Sequence, residues 1–528
     1  MRSGPDAAVE SSLKAKRMRN VSKAWPLWLA IACLSVHSAA QTPKRSSAAT
    51  TASTLRQVAY VKASNPGEDD KFGDIVALSG DGNTLAVGAP LESSAAKGIN
   101  GKGANDPGQS SGAVYVYARS GNRWAEQTYI KASNPDADDQ FGYGVGLSAD
   151  GNTLVVSAPY EDSAATGING DQADNSMPNS GAVYVFSRTG STWSQQAYIK
   201  ASNTGEKDEG DEFGYSVSVS GDGNTLAVGA IGEDSSAAGI NGNQADNSAN
   251  GAGAVYVFTR SGGTWAQQAY VKSSKPARNI MYGYSVSLSA NGDTMAVGEY
   301  DADRGRGALY VVTRNGGTWS QQARLQPATL DPQDSMGCWV AISDDGNTIA
   351  AGAMDEDTLV PGINVVQGGH SGIVDGPDDN SAGAAYVFVR DGTTWKEQAN
   401  FKASNVGKKD WFGVRLALSG DGNTLAVGAP NEDSAARGIN GKQDDDSADE
   451  AGALYLFTRT GSTWKQDYYV KGSNTQKFDE FGSSAALSRD GRTMAVGAHF
   501  QSGGAKGVNG NEADRSISRS GAAYVFVR

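Results

Sequence analysis

Along most of the chain, apolar residues fall in short runs separated by clusters of Gly, Asp, Asn and Ser. In Tyr215-Ser216-Val217-Ser218-Val219-Ser220 every second residue is apolar or aromatic, the pattern of a strand with one face on a core. Gly221-Asp222-Gly223-Asn224 then turns the chain, with Gly and Asn expected to take the positive φ of a tight hairpin. Thr225-Leu226-Ala227-Val228-Gly229-Ala230 is the return strand. A long polar connection leads to Gly253-Ala254-Val255-Tyr256-Val257-Phe258, and after a short turn Trp265 opens a fourth run, continuing AQQAYVKSS. No helical period competes over any convincing length.

The unit recurs. FGYSVSVSGDGNTLAVGAIG from Phe213 has counterparts starting at Phe72, Phe141, Tyr282, Met336, Phe412 and Phe481, at successive spacings of 69, 72, 69, 54, 76 and 69 residues. Trp124, Trp193, Trp265, Trp319, Trp395 and Trp464 hold the same place at the fourth run. Four short antiparallel strands repeated seven times, without covering helices, predict an all-β fold, a seven-bladed β-propeller of four-stranded antiparallel blades. Residues 55–63 match a fourth strand but precede any repeat, and the last repeat stops at Arg528 after its third strand. The N-terminal strand is therefore expected to complete the last blade and close the ring, which leaves fewer unpaired edges. The alternative, an open solenoid, calls for capping repeats that the sequence lacks.

Residues 1–40 read as a secretory signal peptide. Lys14, Lys16, Arg17, Arg19 and Lys23 precede an apolar run from Trp25 to Val36, too short to span a bilayer, and Ser38 and Ala40 are small residues before a cut. Ala30-Ile31-Ala32-Cys33 offers lipoprotein anchoring through Cys33 as an alternative. Residues 41–53 form a polar, flexible leader, and 54–528 the propeller. The expected location is secreted, or at the cell surface or periplasm. Removal of the signal leaves Cys338 as the single cysteine, so packing must replace disulfides, and Cys338 reads as a small buried hydrophobe. The net charge of −13 repels a phosphate backbone, which argues against nucleic acid as a partner.

Two connections per repeat are short and two are long and polar. Alternating strands send both long classes to one face, and sites are usually carried on loops held by a rigid scaffold. The strand-two to strand-three loops share an acidic pair, a Gly-Ile-Asn-Gly turn and further Asp or Asn residues. Calcium takes six to eight oxygen ligands of such kinds. The candidate set is Glu161, Asp162, Asn169, Asp171 and Asp174; Glu233, Asp234, Asn241 and Asp246; and Glu432, Asp433, Asn440 and Asp444. The competing reading is a self-contained turn of Asx hydrogen bonds, with its Ile tucked on the blade top. The fourth repeat has lost this loop and the fifth carries a variant. A specific partner needs such a break in symmetry, so Asp301, Asp303, His370, Asp375, Asp378 and Trp411 are candidate partner contacts.

No catalytic constellation emerges. The three histidines are His37, His370 and His499, and there is no G-x-S-x-G, HExxH or P-loop motif. Phe72-Gly73 with Gly88-Ala89-Pro90, Phe412-Gly413 with Gly428-Ala429-Pro430, and Phe141-Gly142 with Ser157-Ala158-Pro159 resemble the FG-GAP repeat of the integrin α-subunit propeller and of bacterial secreted FG-GAP proteins. That resemblance implies a propeller and a role in adhesion, with calcium in a DxDxDGxxD loop between Phe-Gly and Gly-Ala-Pro. Here the connection is only Ser79-Gly80-Asp81-Gly82-Asn83-Thr84, so that calcium site does not transfer. Nor is an integrin-like receptor implied, since no transmembrane segment is expected in the mature chain. The expected function is a non-catalytic binding or adhesion propeller recognising an extracellular protein or glycan through its long-loop face. Alternatives are a structural spacer or matrix protein, and an extracellular polysaccharide hydrolase or lyase.

Overall fold

The computed structural model describes residues 54–102, 109–205, 210–366 and 380–528; the signal peptide and leader expectations fall on residues 1–53, outside the described residues. The first strand, β1 (Arg56–Val61), pairs antiparallel with Ala522–Val527, Arg56 opposite Val527 and Val61 opposite Ala523. Blade one follows as β2 (Val76–Leu78), β3 (Thr84–Ala89), β4 (Ala113–Ser120) and β5 (Arg123–Ile130), paired in that order. Six further blades repeat the plan, and the last one, Phe481–Leu487, Thr493–Ala498 and Ala522–Val527, takes β1 as its outer strand. The protein is a seven-bladed all-β propeller closed by its N-terminal strand. Blade five departs by one strand, with Gly362–Ile363 added at its outer edge.

The Phe-Gly and Val-Gly-Ala signatures mark where neighbouring blades touch. A Cβ on Gly88 would lie 2.2 Å from the Gly142 carbonyl oxygen, and one on Gly352 would lie 1.9 Å from that of Gly413. Backbones at this separation leave no room for a side chain. The Phe of each signature lies in its own blade's core: Phe141 meets Tyr184 edge-on at 5.2 Å and Phe186 at 6.2 Å.

At the opposite end of each first strand the hairpins differ from expectation in one respect. Positive φ falls on Gly82, Gly151 and Gly223, not on the Asn that follows. That Asn instead belongs to an Asx turn, with Asp81 Oδ1 accepting from Asn83 N at 2.9 Å and Ser79 Oγ at 2.6 Å. The hairpin bases form a belt between blades. Gly80 donates to Ala149 O, Ala149 to Gly221 O, Ala290 to Asp344 O, Asp344 to Gly420 O, Gly420 to Arg489 O, and Arg489 to Gly80 O, at 2.8–3.0 Å. Arg489 Nε also reaches Asp344 Oδ2 at 2.8 Å across this narrow mouth.

Neighbouring blades are also latched at their outer strands. Trp193 Nε1 and Arg188 Nη1 both donate to Gln127 of the preceding blade, at 2.8 and 3.2 Å, and Arg188 lies 5.2 Å over the indole. The same latch joins Trp265 to Gln196, Trp319 to Gln268, Trp395 to Gln322 and Trp464 to Gln398. It is missing at the seam, where β1 carries Val58 in the glutamine position and the buried Trp124 Nε1 has no partner.

Candidate functional site

The Gly-Ile-Asn-Gly turn of the long loop lies on the outer edge of its blade, not on the top as expected. Ile168 bridges Ile199 of the fourth strand, and Ile240 bridges Val271. Asn169 holds φ 57° and exchanges bonds with the strand, its N donating to Tyr198 O at 2.7 Å and its Oδ1 accepting from Tyr198 N at 3.0 Å. Asn241 and Asn440 accept likewise from Tyr270 N at 2.9 Å and Tyr469 N at 3.0 Å. An exposed edge strand invites pairing with another chain, and this loop covers it.

The glutamates read as cation ligands do face a cation, and the chain supplies it. Glu161 is buried against Lys200 Nζ at 2.7 Å and also accepts from Tyr198 Oη at 2.7 Å and Asn134 Nδ2 at 2.9 Å. Glu432 pairs with Lys471 at 2.7 Å and Tyr469 Oη at 2.8 Å; Glu233 pairs with Lys272. Glu92 with Lys131 and Glu356 with Lys402 complete the series. Burial pulls the pKa of Lys200 and Lys471 down, against the pull of their glutamates. The neighbouring acids bind their own loop. Asp162 Oδ1 accepts from Asn179 N at 2.9 Å, Asp234 Oδ1 from Gly251 N at 2.8 Å and Asp433 Oδ1 from Glu450 N at 2.8 Å. Asp171 caps Ala173 N at 2.9 Å, Asp174 takes Ala164 N at 2.8 Å and Asp246 takes Ser236 N at 2.8 Å. Asp444 is exposed, 3.6 Å from Lys442.

Of the partner candidates, His370, Asp375 and Asp378 lie outside the described residues. Asp301 precedes and Asp303 lies within a single turn, Ala302–Gly305, that replaces the long loop of blade four. Asp303 and Arg304 stand there in the left-handed region, at φ 53° and 69°, and Asp303 pairs with Arg324 at 2.6 Å. Trp411 is 38 % exposed.

Trp411 belongs to a ring the sequence reading did not find. The residue before each Phe-Gly signature holds the same left-handed backbone: Lys71, Gln140, Glu212, Met281, Ser335, Trp411 and Glu480, at φ 52–57°. A non-glycine residue there costs about 1–3 kcal/mol, which glycine would relieve. Each turn sets the residue three positions on. Asp74 N donates to Lys71 O at 3.1 Å and Tyr143 N to Gln140 O at 3.1 Å, and in the next blades Tyr215 and Tyr284 are placed the same way. These side chains wall a cavity of about 280 Å³ on the channel axis, opening on the long-loop face. Val145, Val217, Val286 and Val340 line its apolar part.

One side of this cup is aromatic. Tyr143 and Tyr215 lie 5.3 Å apart, Tyr215 and Tyr284 5.1 Å, and Tyr300 stacks on Tyr284 at 4.5 Å. Burial pushes the hydroxyls of Tyr143, Tyr215 and Tyr284 up, so they stay protonated. Trp339 follows, with the Arg415 guanidinium 4.5 Å over its ring and its Nε1 donating to Leu416 O at 3.0 Å. On the far side Asp74 Oδ1 is 2.7 Å from His499 Nδ1, whose Nε2 is 2.9 Å from Glu480 Oε2. Burial opposes the imidazolium, but the two carboxylates outweigh it and raise the His499 pKa. Cys338, in the same strand as Trp339, is buried and its thiol is pushed up to about 12 by burial. In sequence the cup was legible only through Trp339, and the ring only through Trp411, each an oddity in an otherwise repeated frame.

The FG-GAP repeat family model matches residues 55–117, 124–186, 193–258 and 395–457. The chain is a propeller of FG-GAP repeats. Each match runs from one blade's outer strand into the third strand of the next, so the FG-GAP signature spans a blade boundary. All of blade four and the first three strands of blades five and seven of this FG-GAP propeller fall outside the matches. No curated protein sequence matches the chain. Among solved structures it is similar to Kuenenia stuttgartiensis hydrazine synthase, with 12% identity over 83% of this chain and 94% of that one, at a TM-score of 0.43. It is also similar to the β-propeller domain of Myceliophteria thermophila Cps50 (Swd1), with 10% identity over 90% of this chain and 100% of that one, at a TM-score of 0.48.

FG-GAP repeats in general bind calcium, and the donors in the connection between Phe-Gly and Gly-Ala-Pro do not fit that ion here. Both oxygens of Asp81 already accept from the chain, Oδ1 from Ser79 Oγ and Asn83 N and Oδ2 from Asn83 Nδ2. Among the described residues no group of three or more His, Cys, Asp or Glu side chains is placed to hold a metal ion. Among them, too, no helix is long and apolar enough to cross a membrane.

Proposed function

We propose that the protein is a secreted or surface-exposed, non-catalytic propeller that binds an extracellular protein or glycan on its long-loop face and serves adhesion. One observation carries this reading. Seven equivalent positions share one strained backbone conformation, yet hold Lys71, Gln140, Glu212, Met281, Ser335, Trp411 and Glu480. A scaffold that only filled space would gain stability from glycine there. Different side chains on a common rigid ring are what selective recognition calls for. The acidic loops, by contrast, spend their carboxylates on lysines and backbone amides within each blade.

The test is a glycan and surface-protein array probed with the purified protein. Specific binding that falls at least tenfold in Trp411→Ala combined with Lys71→Ala supports the face assignment. Retention of binding in that variant places recognition elsewhere and overturns it. Release of reducing or unsaturated sugar ends from a bound polysaccharide overturns the non-catalytic part.

A further inference from the structure

Resting on that reading, we propose that the cup holds a single acidic sugar, a hexuronate residue of a polysaccharide, with its ring on the tyrosine row and its carboxylate on Arg415. The argument begins with charge. The chain carries a net −13, and its buried lysines in five blades are each matched by a glutamate. Arg415 and Lys71 are different. Both line the cup, and among the described residues no carboxylate is in ion-pair contact with either. Arg415 Nη1 donates only to the backbone oxygen of Val414, at 3.0 Å, and its Nε is buried without a partner. Asp74, the single acid of the lining, is held at 2.7 Å by His499. Asp74 therefore acts on Arg415 and Lys71 only through space, and the guanidinium, with no carboxylate bonded to it, is free to bind one through charge-assisted hydrogen bonds.

Size and shape narrow the class. At about 280 Å³ the cup lies just below the 300–1,000 Å³ of pockets for drug-sized ligands, which suits one ring and not a folded peptide segment. An Asp or Glu side chain would reach Arg415 and leave the faces of Tyr143, Tyr215 and Tyr284 uncovered. A pyranose covers an aromatic face with its C–H bonds and turns its hydroxyls to tyrosine Oη groups and Gln140. The belt of backbone bonds at the hairpin end, with Arg489 on Asp344, narrows the far mouth, so the sugar enters from the long-loop face.

The experiment is calorimetric titration of the purified protein with a uronate trisaccharide, the neutral hexose trisaccharide of the same linkage, a sulfated neutral trisaccharide and a Glu-rich peptide. The uronate is expected to bind at least tenfold more tightly than the other three, with an affinity that falls as salt rises. Arg415→Gln should reduce uronate affinity at least tenfold, to the level of the neutral sugar. Lys71→Met provides a second variant outside the strand, expected to weaken the uronate several-fold and to leave the neutral sugar unchanged. Equal affinity for acidic and neutral sugars, tighter binding of the sulfated sugar or the peptide, or no binding of any sugar overturns the proposal. So does uronate binding that Arg415→Gln and Lys71→Met both leave intact. Array binding that survives both Arg415→Gln and Lys71→Met but is lost in Trp411→Ala overturns the cup as the site and leaves the face assignment standing.

Discussion

Asp410 sits two residues before Phe412, buried, with its Oδ2 accepting from Gly407 N at 2.8 Å. Burial, reinforced by Glu432, Asp433 and Asp446, outweighs that hydrogen bond and pushes its carboxyl up to about 8. Asp211 and Asp334 are likewise raised to about 8, and Asp70 and Asp139 to about 7, burial being the main cause in each. A carboxyl whose pKa is higher folded than unfolded stabilises the fold fully below its unfolded value and loses that contribution as pH rises through the folded value. The Tm gap between the protein and Asp410→Asn should therefore change between about pH 8 and pH 5, with the parent gaining more on acidification. An identical gap at both pH values would mean that the folded-state pKa of this carboxyl is not raised into that range. A second residue-scale prediction concerns Gly352. A Cβ there meets the Gly413 carbonyl oxygen, so Gly352→Ala should cost about 1–3 kcal/mol in chemical denaturation, whereas Gly190→Ala, with open space around it, tests the penalty of positive φ alone.

Strands were readable from local alternation, because period two is written within a few residues of chain. The partners of the acidic loops were not. Glu161 and Lys200 stand 39 positions apart, and only the folded blade reveals that the loop comes back to the end of the fourth strand. An Asp- and Asn-rich loop was thus legible as a ligand-bearing segment, while its ligand, a lysine ammonium, was hidden. The same holds for the glutamine latch, which joins residues of successive repeats and looks like ordinary polar surface in sequence. Its absence at the seam yields a prediction. Val58→Gln would offer an acceptor to the buried Trp124 Nε1, and satisfying that donor should raise stability by about 1 kcal/mol. A lower Tm would show that the valine's apolar contacts outweigh the bond. Conversely, Asn241→Ala removes the acceptor for Tyr270 N and the residue best suited to φ 55°. It should destabilise blade three by about 1–2 kcal/mol and raise hydrogen exchange along Thr264–Val271.

At the scale of the whole molecule the repeat count and the leftover strand made the closed ring legible in the sequence itself. The variable ring at the channel mouth escaped because its shared feature is a backbone angle, while the residues that adopt it do not recur from repeat to repeat. Removing residues 54–63 deletes the outer strand of blade seven. It should abolish the single cooperative unfolding transition, since Ala522–Val527 is left as an unpaired edge. Chelation offers a complementary check. Because lysines occupy the positions facing Glu161, Glu233 and Glu432, a calcium chelator is expected to leave Tm unchanged, and a fall of several degrees would reveal a bound ion.

The pairing of β1 with Ala522–Val527 also orders events in time. Among the described strands β1 leaves the ribosome first, and it must wait, uncommitted, until Ala522–Val527 has been synthesised. Partial products can stack blades but cannot finish the circle, so the ring takes its final form only once the whole array has been made.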